Sequence, residues 1–250
     1  MIREQLKRVP GLVPIVRSGR SARIVLVRKS EDARFARRRR DRFRQIDFYL
    51  REHPNRKLQL GAGGNPYDGW LNTDVFEYRR RGDVVYLDAR EPFPLPDSSF
   101  EVIFTEHMIE HLTYEEGLAC LRECRRVLQP DGRIRVSTPA LERQIALFDE
   151  QLSDLQQRYI AWVTDSFIEN APAYLPGFVV NNMFRNFEHR FIYDEQTLRL
   201  ALETAGFVDV EQHRVGHSND PRLDGLEARD TRSDAEFNEY ETMAFEGRRP

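Results

Sequence analysis

A chain of 250 residues with 40% hydrophobic and 32% charged side chains has the composition of a globular protein with one α/β core, which excludes disordered and fibrous classes. No run approaches the roughly 20 apolar residues that cross a bilayer, and the opening MIREQLKRVPGLVPIVRSGR carries charges where an export signal needs an unbroken apolar segment. A cytoplasmic location without a membrane span is therefore expected. The net charge of -3 hides an asymmetry: residues 1–57 hold 18 Lys and Arg against 6 Asp and Glu, and the remainder holds 20 against 35. The arginine run RFARRRRDRFR (34–44) reads as a solvated basic arm, 1–56, that packs on its own acidic body or on a second copy. Contact with phosphate, lipid headgroups or nucleic acid is the alternative.

From residue 57 onward, strand and helix signals alternate. KLQLGAG (57–63), WLNTDV (70–75), DVVYLDA (83–89), FEVIFTE (100–106) and RIRVSTP (133–139) are short apolar runs, each followed by a polar loop or helix. That pattern predicts a parallel sheet covered on both faces. Between the fourth and fifth runs, Thr113 and Glu116 have capping-box spacing, Leu121, Cys124 and Leu128 recur at helical period, and the turn at 129–132 ends the helix. Cys120 and Cys124, the only cysteines, fall four apart on it and read as small buried side chains in a reducing compartment. The stretch 142–188 breaks the alternation and reads as one or two helices followed by the aromatic-rich AYLPGFVVNNMFRNF (173–187). An insertion of this length is expected to form an acceptor-side lid or pocket, or else a packing subdomain. A further helix is predicted over about 194–205 with Gly206 as its stop, then strands at FVDVEQHRV (207–215) and YETMAFEG (240–247), joined by a polar connection, 216–236.

The loop after the first strand, Gly61, Ala62, Gly63, Gly64 and Asn65, is built of small residues that let backbone N–H groups approach a ligand. A dinucleotide fingerprint would need a third glycine at position 66, which is proline, and an acid about 20 residues on, whereas Asp74 comes 13 after Gly61. Asp74 and Val75 close the second strand and Asp88 and Ala89 the third, so all of these gather at the carboxyl edge where open α/β sheets bind ligands.

The run LQLGAGGNPYDGWLNTDV, followed by DAREPFPLPDSSFEVIFTEHMIEHLTYEEGLACLRECRRVLQPDGRIRVSTP, resembles the class I S-adenosylmethionine-dependent methyltransferases, type-11 branch, over about 57–141, with a looser likeness at 188–247. The resemblance implies an α/β, Rossmann-like seven-stranded sheet of order 3-2-1-4-5-7-6 with the last strand antiparallel and helices on both faces, here with the helical and aromatic insertion after the fifth strand. The methyltransferase domain would be 57–250. It implies S-adenosyl-L-methionine as cofactor, with Gly61 and Gly63 facing its methionine part, Asp74 its ribose, Asp88 with Ala89 its adenine, and Glu106 and His107 near the reacting end. Asn65 stands where many relatives have a third glycine.

His107, Glu110 and His111 have the spacing of one zinc-peptidase motif. The segment leaves a strand directly and a new helix starts at Thr113, so about one turn is available and the peptidase reading fails. Methyl transfer to a hydroxyl gains from a base, and His107, His189 and His111 are the candidates, in that order of expected proximity. No metal is assigned; a mixed site of His107, Glu110 and His111, with His189 as a further ligand, similar to the E-x-x-E-H site of some methyltransferases but with His107 in place of the first glutamate, is the alternative. The function expected is O-methylation of a small-molecule or sugar-related acceptor. A methyltransferase-like partner subunit docking through the arm and an RNA methyltransferase are the competing readings, although the arm lacks the interleaved aromatics of single-strand readers, so nucleic acid is not expected as a partner. A homo-oligomer is left open.

Overall fold

Five short runs whose side chains are almost all buried pair in parallel, because each leaves the sheet through a loop or helix and returns in the same direction. They are β1 (Lys57–Leu60), β2 (Leu71–Asp74), β3 (Val84–Tyr86), β4 (Phe100–Glu106) and β5 (Leu128–Pro139). With β6 (Val208–His213) and β7 (Thr242–Arg248) they form one seven-stranded sheet of order β3-β2-β1-β4-β5-β7-β6, in which β7 runs antiparallel to both neighbours. The computed structural model describes residues 36–76, 84–227 and 235–250, and most of the basic arm, residues 1–35, lies outside the described residues. Residues 36–45 belong to a compact unit of their own, helical, in which Arg37 and Arg44 pair with Asp41. The unit that holds the sheet starts at Ile46. Ile46 and Tyr49 are buried in its core, and the Tyr49 hydroxyl bridges the Lys57 N–H and the Gly69 carbonyl at the entrance to β1.

The helices are α1 (Tyr114–Val127), α2 (Leu141–Ile145), α3 (Asp154–Phe167), α4 (Pro176–Arg185), α5 (Glu195–Thr204) and α6 (Ala235–Glu241). Thr113 and Glu116 close the expected capping box on α1, and Gly206 ends the turn after α5 at φ +94°. Alternation along β4 assigns its faces. Ile103 joins the main core with Cys120, Leu121 and Cys124 of α1 and Leu198, Ala201 and Leu202 of α5; Val102 and Phe104 point the other way. Cys120 and Cys124 are free and buried, as their spacing predicts.

Two stretches differ from the sequence reading. The aromatic-rich stretch 173–187 is itself largely helical: Pro176 at the first turn of α4 is pre-set for a helix start, and Val179, Asn182 and Met183 recur on one buried face. The insertion thus packs three helices around its own core of Leu147, Tyr159, Ile160, Val163 and Val179, completed by Phe237 of α6. The connection after β6 is less polar than expected, since Leu223 and Leu226 cover Trp70, Val102 and Phe104 on the second face of the sheet.

Arg135 lies on that second face between the inward-facing Ile134 and Val136 of β5, and it is fully buried. Its guanidinium donates to Glu227 at 2.7 and 2.9 Å, to Glu246 of β7 at 2.7 Å, and to the carbonyls of His217 and Arg214 at 3.0 and 3.1 Å. One buried cation therefore ties the 214–227 segment to the sheet. Removing one partner of such a set leaves uncompensated buried charge, so Arg135→Ala is expected to lower unfolding free energy by about 3–5 kcal/mol, read by denaturant titration. A loss under about 1 kcal/mol would show that the network does not hold the segment.

Candidate active site

The ten residues between β1 and β2 contain no helix and instead fold into a tight loop at the carboxyl edge. Gly61 sits at φ +66°, and a Cβ there would lie 2.5 Å from Met108 Cγ, so only glycine fits. Gly63, at φ +53°, has open space where its Cβ would be. The Ala62 N–H donates to the Thr73 carbonyl at 3.0 Å, which extends the β1–β2 ladder into the loop. The Asp74 carboxylate accepts the Gly63 N–H at 2.9 Å and the Phe76 N–H at 2.7 Å, so the acid closing β2 also shapes the loop. Asp88 is buried, and its carboxylate is gripped by the Arg90 guanidinium at 2.8 and 2.7 Å. Gly64 and Asn65 are exposed at the loop's tip, and Val75 and Ala89 are partly buried beside the two acids.

A chamber of about 590 Å³ opens against this loop. Gly61, Ala62, Gly63 and Asn65 form one wall, Glu106 and His107 the end of β4, and Arg214, Glu227, Glu239 and Glu241 the far side. Asp74 and Asp88 are off its wall, and Asp74 meets it through the Gly63 N–H. A second cavity of about 350 Å³ lies under the insertion. The two share His107, Trp162 and Glu241. Neither Trp162 nor Glu241 carries a motif, and nothing in the sequence marks them beyond their positions on amphipathic helices.

His107 leaves β4 in a left-handed conformation, φ +46°, a costly state for a side chain with a Cβ, and its N–H is held by the Ser137 carbonyl at 2.9 Å. Its Nε2 is 2.9 Å from Thr242 Oγ1, whose own proton goes to Asn238 Oδ1, so Nε2 donates. Its Nδ1 faces Glu110 Oε1 at 3.4 Å, an ion-pair distance. Both ring nitrogens thus point at acceptors. Burial alone would lower the His107 pKa, but the Glu110 carboxylate, aided by Glu241 and Glu106, outweighs it and holds the value at about 9. Glu110 is fully buried; burial would raise its pKa, and His107 reverses that and keeps it below the usual range. Thr138 Oγ1 donates to the other Glu110 oxygen at 3.0 Å, and the Glu110 carbonyl accepts the N–H groups of Arg190 and Phe191. A one-turn 3₁₀ helix, Ile109–His111, carries Glu110 and His111, too short for the peptidase arrangement.

His189 is in the opposite state. Its Nδ1 lies 2.6 Å from the Met183 carbonyl and must donate there, which leaves Nε2 as the basic atom. Burial lowers its pKa, so it is neutral at pH 7. The His111 and His189 rings meet edge to face at 4.9 Å, and one ligating atom from each of Glu110, His111 and His189 lies within 4.8 Å of the others. Sequence reasoning named all three histidines; the structure brings His111 and His189 to the second cavity and His107 to the wall between the two.

A histidine whose pKa rises from 6.5 to about 9 on folding contributes stability that is complete below pH 6.5 and is lost as pH rises through about 9. Melting temperature is therefore expected to fall over that interval in the wild type, with the fall absent in His107→Gln. Parallel curves for the two proteins would contradict the imidazolium assignment. The lowered Glu110 pKa works at the acid end, its contribution being present above 4.5 and lost as pH falls through the folded value.

Residues 69–136 match the family model described as a methyltransferase domain. The chain is 27% identical over 132 residues to the ubiquinone/menaquinone biosynthesis C-methyltransferase UbiE of Paraburkholderia phymatum, and 26% identical to that of Burkholderia cenocepacia, with 50% of this chain and 46% of each relative covered. The chain thus spans about half the length of the curated relatives it matches. Among solved structures it is similar to a SAM-dependent methyltransferase from Archaeoglobus fulgidus, with 18% identity, a TM-score of 0.47, and 84% of this chain and 94% of that one covered. It is also similar to Haemonchus contortus phosphoethanolamine N-methyltransferase 2 in complex with S-adenosyl-L-methionine, with 14% identity, a TM-score of 0.42, and 83% and 53% covered. The family model, the relatives and the strand order thus liken the sheet-bearing domain of this chain to the class I S-adenosylmethionine-dependent methyltransferases.

Proposed function

We propose that this domain moves the methyl group of S-adenosylmethionine to a hydroxyl oxygen of a small molecule. The observation that carries the reading is the common wall: a chamber floored by the glycine loop and a cavity holding His189 meet at His107, Trp162 and Glu241. When bound, S-adenosylmethionine supplies a methyl on a cationic sulfur, open to in-line displacement. The chamber fits such a ligand in volume, and Gly63 leaves space at the loop. Asp74 is assigned to the ribose and Asp88 with Ala89 to the adenine, with Gly64, Asn65 and Val75 flanking them.

Most of the acceleration comes from holding donor and acceptor in line across the shared wall. His107 does not serve as base in this reading, because both of its nitrogens already face acceptors. It holds Glu110 and shapes the wall. His189 Nε2 takes the hydroxyl proton as the oxygen–carbon bond forms and the sulfur–carbon bond breaks, leaving a neutral thioether and an imidazolium. His111, edge-on to His189, fixes its ring.

A second reading is favoured by the approach of Glu110, His111 and His189, one ligating atom of each lying within 4.8 Å of the others. Those three would hold a divalent ion, in place of proton transfer by His189.

Tritium transfer from labelled donor tests the first reading: His189→Gln is expected to lower kcat by roughly 10²–10⁴ while dialysis against EDTA leaves it unchanged. Loss of turnover on chelation with recovery on adding a divalent ion would transfer the role to the metal reading. By calorimetry with S-adenosylhomocysteine, Asp74→Ala is expected to weaken binding by about tenfold or more, the loss of a hydrogen-bonded carboxylate. Unchanged affinity would remove Asp74 from the donor site.

A further inference from the structure

The second cavity carries information on the acceptor. Its apolar lining includes Pro139, Trp162, Phe167, Val179, Met183 and Phe187, and its polar lining includes Glu110, Asn182, His189 and Glu241. Nearly all of those groups already have partners within the chain. Glu110 is held by His107 and Thr138, Glu241 accepts the Tyr159 hydroxyl at 2.6 Å, His189 donates to the Met183 carbonyl, and the Asn182 side chain pairs with Asn186. A ligand rich in hydroxyls would bury most of them without partners, which is unfavourable.

The lining rings touch in sequence: Trp162 with Phe167 and Phe167 with Phe187, each edge to face at 5.4 Å, and Phe187 tilted against His189 at 5.8 Å. Phe167 and Phe187 are 41% and 48% exposed, so ring surface is left uncovered at the opening. Phe187 and Glu188 both sit at φ +60°, a conformation strongly disfavoured for a bulky side chain. Phe187 is thus kept in a strained backbone state while its ring stays half exposed, outside the insertion core.

Resting on the two-chamber methyltransferase reading, we infer that the acceptor is a neutral aromatic molecule of one or two fused rings that carries the reacting hydroxyl at its edge, and not a sugar. The ring packs against the uncovered surface of Phe167 and Phe187 beside Trp162, and the hydroxyl is directed to His189. A cavity of about 350 Å³ suits a ligand of that size.

Calorimetry on the full chain with S-adenosylhomocysteine alone first reports on the donor site, and its failure counts against the two-chamber reading only. Ligand-observed NMR then uses 2-naphthol and methyl glucopyranoside as probes, with and without the donor product. 2-Naphthol is expected to bind and the glucoside not. Phe187→Asp is expected to weaken naphthol binding by at least about tenfold with S-adenosylhomocysteine affinity unchanged. Phe167→Asp is the second variant, read in the same way, should Phe187→Asp fail to fold. Binding of the glucoside as tightly as 2-naphthol, no binding of 2-naphthol, or naphthol binding indifferent to the folded variant overturns the inference.

Discussion

A single buried carboxylate, Glu110, holds the active-site wall in one arrangement. Its side chain faces the His107 ring and accepts from Thr138, and its main-chain carbonyl takes the N–H groups of Arg190 and Phe191 where the chain leaves the insertion. The end of β4, the end of β5 and the exit of the insertion are thereby fixed to one residue. An isolated charge at such depth would be strongly unfavourable, and the His107 cation is what makes it tenable. Two histidines a few residues' width apart therefore hold different protonation states: His107 charged by its carboxylate, His189 neutral through burial.

The same device recurs on the far side of the sheet. A face that would ordinarily be apolar carries Arg135 with Glu227 and Glu246, and the guanidinium spends its donors on both carboxylates and on two carbonyls of the crossing segment. That segment supplies Arg214, Val215, Gly216 and His217 to the first chamber. A directional buried cation sets the segment's position more narrowly than the apolar contacts of Leu223 and Leu226 alone, since hydrogen bonds have angles and burial does not. Chamber shape thus depends on an ionic set of which Glu227 lines the chamber while Arg135 and Glu246 stand behind it.

The architecture was legible where local rules decide it. Seven short apolar runs became the seven strands, the spacing of Thr113 and Glu116 became a capping box, and Gly206 ended its helix at positive φ. The glycine loop and Asp74 could be read as neighbours because β1 and β2 are parallel and adjacent, so their ends must coincide. What escaped the sequence depends on partners far along the chain. Arg135 reads as one charge in a strand, and its carboxylates lie 92 and 111 residues away. His107 reads from the sequence as a base, while the contact of its Nε2 with Thr242 is 135 residues away along the chain and has no local signature. The helix over 176–185 was missed because its aromatic composition masked the period, and Leu223 and Leu226 because two apolar residues in a polar stretch give no periodicity.

In the proposed reaction, donor and acceptor meet where the two cavities share His107, Trp162 and Glu241. A crystal structure with S-adenosylhomocysteine tests it most directly. The adenosyl group is expected over the loop between Asp74 and Asp88, with the sulfur turned toward that shared wall. Density for the ligand elsewhere on the molecule, or a sulfur facing away from the cavity under the insertion, would contradict it.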